Sequence, residues 1–290
     1  TGANKGIGLE LCKQLAAKGV VVVLTSRDGK RGLQAHENLI KSGINPENLH
    51  FHQLDVTDIT SIAAIAGFIN SKFGKLDILV NNAGIIGDMV NFDALIAAGF
   101  GTPREQINLE DSPGTVTQTY ELTKECLQTN YYGAKRTVEA LLPLLKLSDS
   151  PRIVNVSSFL GRLTYIPNET IRGVLRDAES LTEERIDEIL NDMLRDFKDC
   201  SFKEKGWPKN LAAYIVSKAA LSAYTRILAK KYPSIMINCI CPGFVKTDIN
   251  GNTGHLPVEE GAASLARLAL MPQILPSGLF FQRTEVSSFE

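Results

Sequence analysis

Neither sign of charge dominates this chain: 31 Lys and Arg stand against 32 Asp and Glu over 290 residues. So even a balance removes the electrostatic motive for nucleic acid or an anionic membrane surface as partner, and leaves a small neutral or anionic substrate open. Long apolar runs are also missing, so no segment reads as a membrane span or a signal peptide. Cysteine is sparse. Cys12, Cys126, Cys200, Cys239 and Cys241 are odd in number, and none falls at a zinc or redox spacing. Cys239 and Cys241 alternate along an expected strand, where a buried thiol acts as a small hydrophobe; a reducing, cytoplasmic setting follows. Repeats and low-complexity tracts do not stand out. The chain opens on Thr1-Gly2-Ala3-Asn4-Lys5-Gly6 with no strand ahead of the glycines. A glycine turn of this kind follows a buried strand, so a first strand is expected upstream.

What is present suffices for one large α/β domain, 44% of it hydrophobic. Apolar strand-like runs alternate with helical periodicity, the pattern of a Rossmann-type, doubly wound parallel sheet. Helix is expected over 6–18, with Ile7, Leu11 and Leu15 on one face and Gly19 as its stop. Strands are expected at 20–25, 49–54, 76–80, 152–156 and 235–240, and a helix over 211–231. Two stretches interrupt this alternation. Residues 85–120 are rich in Gly, Pro, Asp and Thr and read as an irregular, lid-like excursion. Residues 159–209 contain a helix with Ser180 and Glu183 as its capping box. Its stripe of Ile186, Ile189, Leu190, Met193, Leu194 and Phe197 docks on this domain or on a second subunit, its own domain being the expectation.

Gly2-x-x-x-Gly6-x-Gly8 opens the first helix. A helix N-terminus offers unpaired N–H groups and a positive dipole to phosphate, and glycines let a pyrophosphate approach the backbone. At the end of the second expected strand, an acid would hold the ribose hydroxyls of NAD, whereas a base suits the 2′-phosphate of NADP. The sequence there is Thr25-Ser26-Arg27, with Lys5 in the glycine turn, so NADPH is expected. Asp28 follows Arg27, and a neighbouring residue at a strand end points elsewhere.

Tyr214 and Lys218 are four apart on an expected helix and share a face. A phenol with a pKa near ~10 is a poor acid at neutral pH, and a nearby ammonium lowers that value. Ile153-Val154-Asn155-Val156-Ser157-Ser158 is a buried strand ending in two hydroxyls. Asn81-Asn82-Ala83-Gly84 and Pro242-Gly243-Phe244-Val245-Lys246-Thr247 close two other strands. Ligands of such sheets lie beyond the carboxyl ends of the strands, where all three segments fall.

Taken together, these motifs resemble the short-chain dehydrogenase/reductase family over essentially the whole chain. The resemblance implies that Tyr214 protonates a carbonyl oxygen as hydride arrives, and that Lys218 lowers the tyrosine pKa and holds the nicotinamide ribose. It implies that Ser158 binds the substrate oxygen with Ser157 in support, the reverse assignment staying open. It also implies that Asn130 holds a relay water. The cofactor site it implies comprises Gly2, Asn4, Lys5, Gly6, Ile7 and Gly8, then Arg27, Asp55, Val56, Asn82, Ala83 and Gly84. Tyr214, Lys218, Pro242, Gly243, Val245 and Thr247 complete it.

Phrases such as Phe51-His52-Gln53-Leu54-Asp55-Val56-Thr57-Asp58 are similar to a plant subgroup of salutaridine reductases and neomenthol dehydrogenases, related to monomeric carbonyl reductases. That similarity implies reduction of bulky cyclic ketones, including monoterpenoids and alkaloids, or of aldehydes. One relative reduces a carbon–carbon double bond and carries an acid in place of the tyrosine; retention of Tyr214 argues for carbonyl reduction. Compact members pair across the tyrosine-bearing helix, a surface the 159–209 insertion could cover, so a monomer is expected.

Two rivals remain: NADP+-dependent alcohol oxidation, and a non-catalytic NADPH-binding sensor. Among weaker signals, His50 and His52 share a strand face and lack the further ligands a metal needs, so no metal is expected. Asn155-Val156-Ser157 and Asn168-Glu169-Thr170 match glycosylation sequons. Trp207, Phe159 and Tyr165 either line an apolar pocket or pack the insertion.

Overall fold

The computed structural model describes residues 1–97, 115–272 and 276–290. Most of the excursion's later part, residues 98–114, thus lies outside the described residues. The expected strands form within two residues of their expected ends: β1 (Val22–Ser26), β2 (Leu49–Gln53), β3 (Ile78–Asn81), β6 (Arg152–Val156) and β7 (Met236–Cys241). A short hairpin, β8 (Phe280–Gln282) and β9 (Glu285–Ser287), finishes the sheet. β3, β6, β7 and β8 run parallel in that order and β9 is antiparallel at the edge. β7 is buried at every position, as befits a strand covered on both faces.

β1 and β2 pair separately, and no described strand joins β1 to β3. Residues 1–3 run between them instead. The Thr1 nitrogen donates to Val80 O at 2.8 Å and Ala3 N donates to Thr25 O at 2.7 Å. The glycine turn is thereby held in place from both sides.

Helices cover both faces, as the doubly wound pattern requires. α1 (Gly6–Ala17) buries Leu11 and Leu15 against α10 (Val258–Leu270), whose Ala262 and Leu265 belong to the same apolar cluster. α2 (Gly29–Lys41) starts at Asp28, whose carboxylate accepts from Arg31 N at 3.0 Å. α3 (Ile59–Phe73) is capped by Asp58 and stopped by Gly74 in the left-handed region.

Within the excursion, β4 (Met89–Val90) pairs antiparallel with β5 (Val116–Thr117), and α4 (Phe92–Ala97) lies between them in sequence. α5 (Tyr120–Leu127), one π-helical turn (Gln128–Tyr132) and α6 (Gly133–Leu145) follow as a continuous rod.

The insertion forms α7 (Glu169–Arg176) and α8 (Glu183–Lys198). Its cap differs from the expected one. Thr182, not Ser180, accepts from Arg185 N at 3.2 Å, because Ser180 donates its hydroxyl to Asp177 at 2.5 Å. The apolar stripe docks on its own domain, as expected. Ile186, Ile189, Leu190 and Met193 are buried against α5 and α9 (Ala212–Lys231). Burying four such side chains contributes about 6–12 kcal/mol, an upper value because unfolded chains already bury part of this surface. Ion pairs reinforce the seat: Lys135 of α6 reaches Asp187 at 2.9 Å and Glu183 at 3.5 Å. Trp207 belongs to this packing, donating Nε1 to the buried Asp196 at 2.9 Å and stacking on Phe202.

Candidate active site

Beyond the carboxyl ends of β1, β3, β6 and β7 lies a cleft of about 590 Å³, lined by every residue expected at the cofactor. No side chain caps α1, so its first N–H groups are left for a ligand. Close approach is built in at Gly8, where a Cβ would lie 2.5 Å from Asn82 Nδ2 and 2.8 Å from Gly2 O. Gly6, at φ +57, takes a left-handed turn that a side chain would strain. The geometry fits a dinucleotide.

Cations mark one rim. Lys5, Arg27 and Arg31 all line the cleft, and Arg31 is absent from the expected set. Each already faces an acid: Lys5 meets Asp248 at 2.8 Å, Arg27 meets Glu125 at 3.6 Å and Arg31 meets Asp28 at 3.4 Å. Asp28 also lines the cleft, although it was expected to point elsewhere. Its carboxylate is committed to the start of α2, and the Arg31 backbone N–H holds its pKa below the usual carboxylate range.

At the other end, α9 carries Tyr214 and Lys218 on one face, with Lys218 Nζ 5.7 Å from the tyrosine ring centre. Ser158 lies beside the phenol and accepts from Leu160 N at 3.2 Å. Ser157 points to the helix instead, donating to Lys218 O at 3.2 Å and pairing with Ser222 at 2.8 Å. The Ser158 hydroxyl is thus the one of the pair that lies beside Tyr214.

Burial dominates the electrostatics of this group. Burial pushes the Tyr214 phenol above its ordinary range, against the smaller pull of the Ser158 hydroxyl. Lys218 Nζ donates to Val156 O at 2.8 Å. Burial pulls Lys218 itself down to about 8. The phenol is thus held protonated, which suits a proton donor.

Asn130 is held by a network of its own. It sits in the π-helical turn, behind the cleft and almost fully buried. Its Nδ2 faces Ile85 O at 2.9 Å, Ser217 Oγ at 3.0 Å and Cys126 Sγ at 3.2 Å, while Oδ1 accepts from Ile85 N at 2.8 Å. With both amide hydrogens engaged, the side chain braces the loop after β3 and keeps one Oδ1 lone pair. A Cβ on Gly84 would sit 3.3 Å from both Asn130 Oδ1 and Lys218 Nζ, so glycine keeps the space between them open.

Ile85, Ile86, Phe92, Phe159, Leu211, Phe244 and Ile249 add apolar lining. Of the three aromatics weighed from sequence, Phe159 lines this end, while Tyr165 packs edge-on behind it with ring centres 6.1 Å apart. His50 and His52 pack on Phe73 and Phe68, and no metal-binding group of three His, Cys, Asp or Glu occurs among the described residues. Both sequon asparagines have structural tasks: Asn155 donates to Thr225 in the core and Asn168 caps α7. No helix among the described residues is long and apolar enough to cross a membrane.

Comparison with known proteins agrees with this geometry. Residues 1–169 match the family model "short chain dehydrogenase", and residues 200–273 match "Enoyl-(Acyl carrier protein) reductase". The chain is 64% identical to "Short-chain dehydrogenase/reductase 1" of Saponaria officinalis, over all of this chain and 95% of that protein. It is 57% identical to "(+)-neomenthol dehydrogenase" of Arabidopsis thaliana, over all of this chain and 96% of that one. Among solved structures, salutaridine reductase from Papaver somniferum superposes with a TM-score of 0.88 at 50% identity, covering 97% of each chain.

Proposed function

This chain belongs to the short-chain dehydrogenase family and is an oxidoreductase, and from that premise we propose that it reduces a bulky cyclic ketone to the alcohol with NADPH. One observation carries the reading: a half-buried phenol beside a serine hydroxyl, at the junction of a phosphate-ready glycine turn and an apolar chamber.

NADPH would lie along Gly2–Gly8, Asp55, Val56, Asn82–Gly84 and Pro242–Thr247, with Arg27, Arg31 and Lys5 at its 2′-phosphate. When bound it supplies the hydride. Ser158 and Tyr214 hold the carbonyl oxygen, and Tyr214 delivers the proton as negative charge develops there. Lys218, anchored on Val156 O, keeps an ammonium beside the phenol at neutral pH and supports the tyrosinate left behind. Ile85, Phe92, Phe159, Phe244 and Ile249 exclude water and accept a hydrocarbon ring. The chamber's apolar lining and the similarity to a neomenthol dehydrogenase and a salutaridine reductase favour a terpenoid or alkaloid ketone.

The protein acts as a cytoplasmic monomer in this reading, supported by α8 covering α9; light scattering should then give one 31.7 kDa chain. The function itself is tested by NADPH oxidation against menthone, an alkaloid dienone and an aromatic aldehyde. Turnover of a cyclic ketone is expected. NADPH binding without turnover across the panel would make the protein a non-catalytic sensor.

A further inference from the structure

The residue immediately ahead of α9 is Leu211, and its backbone is left-handed, at φ 54 and ψ 29. Such a conformation costs on the order of 1 kcal/mol for a residue with a Cβ, and it persists only where its surroundings hold it. Leu211 is buried from solvent yet lines the cleft, one helical turn before Tyr214. The position of this turn therefore sets both an apolar wall of the chamber and the start of the helix that presents the acid.

Gln118 holds it. Its Oε1 accepts from Ala212 N at 3.1 Å, one of the N–H groups that the first turn of α9 leaves unpaired. Its Nε2 donates to Lys209 O at 2.7 Å. Gln118 lies between β5 and α5, at the end of the first excursion, and Lys209 lies at the end of the second insertion. One half-buried amide thus joins both excursions to the first residue of the catalytic helix. We propose that Gln118 is a positioning residue, clamping the Lys209–Ala212 turn so that Leu211 and Tyr214 meet the substrate in register. This rests on the ketone-reductase reading for its catalytic consequence, but the clamp itself does not.

Gln118→Ala removes both bonds, whereas Gln118→Glu keeps an acceptor for Ala212 N–H at a helix start that favours a carboxylate. For the ketone the wild type reduces best, kcat/KM of Gln118→Ala should fall roughly tenfold to a hundredfold, the scale expected for displaced reacting groups. NADPH affinity should stay within about twofold, and melting within about 2 °C, because few buried contacts are lost. Hydrogen exchange over residues 209–214 should speed up. Gln118→Glu should recover most of kcat/KM.

Wild-type kcat/KM in Gln118→Ala overturns the proposal, as does a loss that tracks NADPH affinity and melting together. Failure of Gln118→Glu to recover activity overturns the assignment of the effect to Ala212 N–H. If the wild type reduces no ketone, the function proposed above fails by itself. Exchange over 209–214 then decides the clamp, and unchanged exchange in Gln118→Ala sinks it.

Discussion

The two ends of the cleft are made by different means. The cofactor end is mostly backbone: a glycine turn, an uncapped helix start and strand ends whose polar groups have partners in place. The substrate end is mostly side chain, assembled from the loop after β3, the short helix α4, the turn ahead of α9 and the segment after β7. A backbone cradle tolerates no added atom, as the 2.5 Å clearance at Gly8 shows. An apolar wall tolerates exchange of one hydrocarbon for another, so the second end is where relatives can diverge.

That contrast predicts a ranking of mutational effects. Gly8→Val, which drives atoms into Asn82 and Gly2, should weaken NADPH binding about a hundredfold in a fluorescence titration, since overpacking costs about 1–3 kcal/mol. Phe92→Leu, at the other end, should leave that titration unchanged. Equal sensitivity at the two ends would break the comparison.

Second in size is a stability effect in the excursion after β3. Asp88, beside β4, is buried with neither carboxylate oxygen hydrogen-bonded, and burial raises its pKa to about 7. The folded state therefore binds the proton more tightly than the unfolded state. Stability from this group is fully present below the unfolded pKa of 3.8, falls as pH rises, and is gone above about 7. Asp88→Asn should stabilise the protein at pH 8 by on the order of 2 kcal/mol relative to wild type, with a smaller gain at pH 5. A gain independent of pH in thermal melts would refute this account.

Third, Arg27→Ala should shift the NADPH-over-NADH preference about tenfold toward NADH, measured as the ratio of kcat/KM values. The effect is modest because Arg27 is exposed and already shared with Glu125. The smallest effect is a displaced titration. Lys218, pulled down to about 8, should give kcat/KM a descending limb near that pH as its ammonium is lost. Lys218→Arg keeps its charge and should lose that limb.

The same contrast explains which features were legible in the sequence. Glycines, Asn-Asn-Ala-Gly, paired serines and a Tyr-x-x-x-Lys spacing are fixed by backbone geometry and hydrogen-bond chemistry, so residues that share one cleft, Ser158, Tyr214 and Lys218 among them, could be picked out. The apolar wall left no such trace. Ile85, Phe92 and Ile249 have no periodicity, and Leu211 looks like one more helical leucine until its left-handed backbone is seen. Gln118 escaped notice because its partners are backbone atoms far along the chain. For Asn130 the sequence supplies the amide, whereas its partners Ile85, Cys126 and Ser217 are brought together only by the fold. Arg31 had a usable signal, standing four residues after Arg27 in the first turn of α2.

The account's central claim is a division of labour, with cofactor held at one end and the carbonyl protonated at the other by Tyr214. It is tested most directly by Tyr214→Phe, with NADPH affinity and single-turnover oxidation of bound NADPH by a cyclic ketone measured on the same preparation. The account predicts affinity within about threefold of wild type and a hydride-transfer rate roughly 10²–10⁴-fold lower. Hydride transfer at the wild-type rate would contradict it.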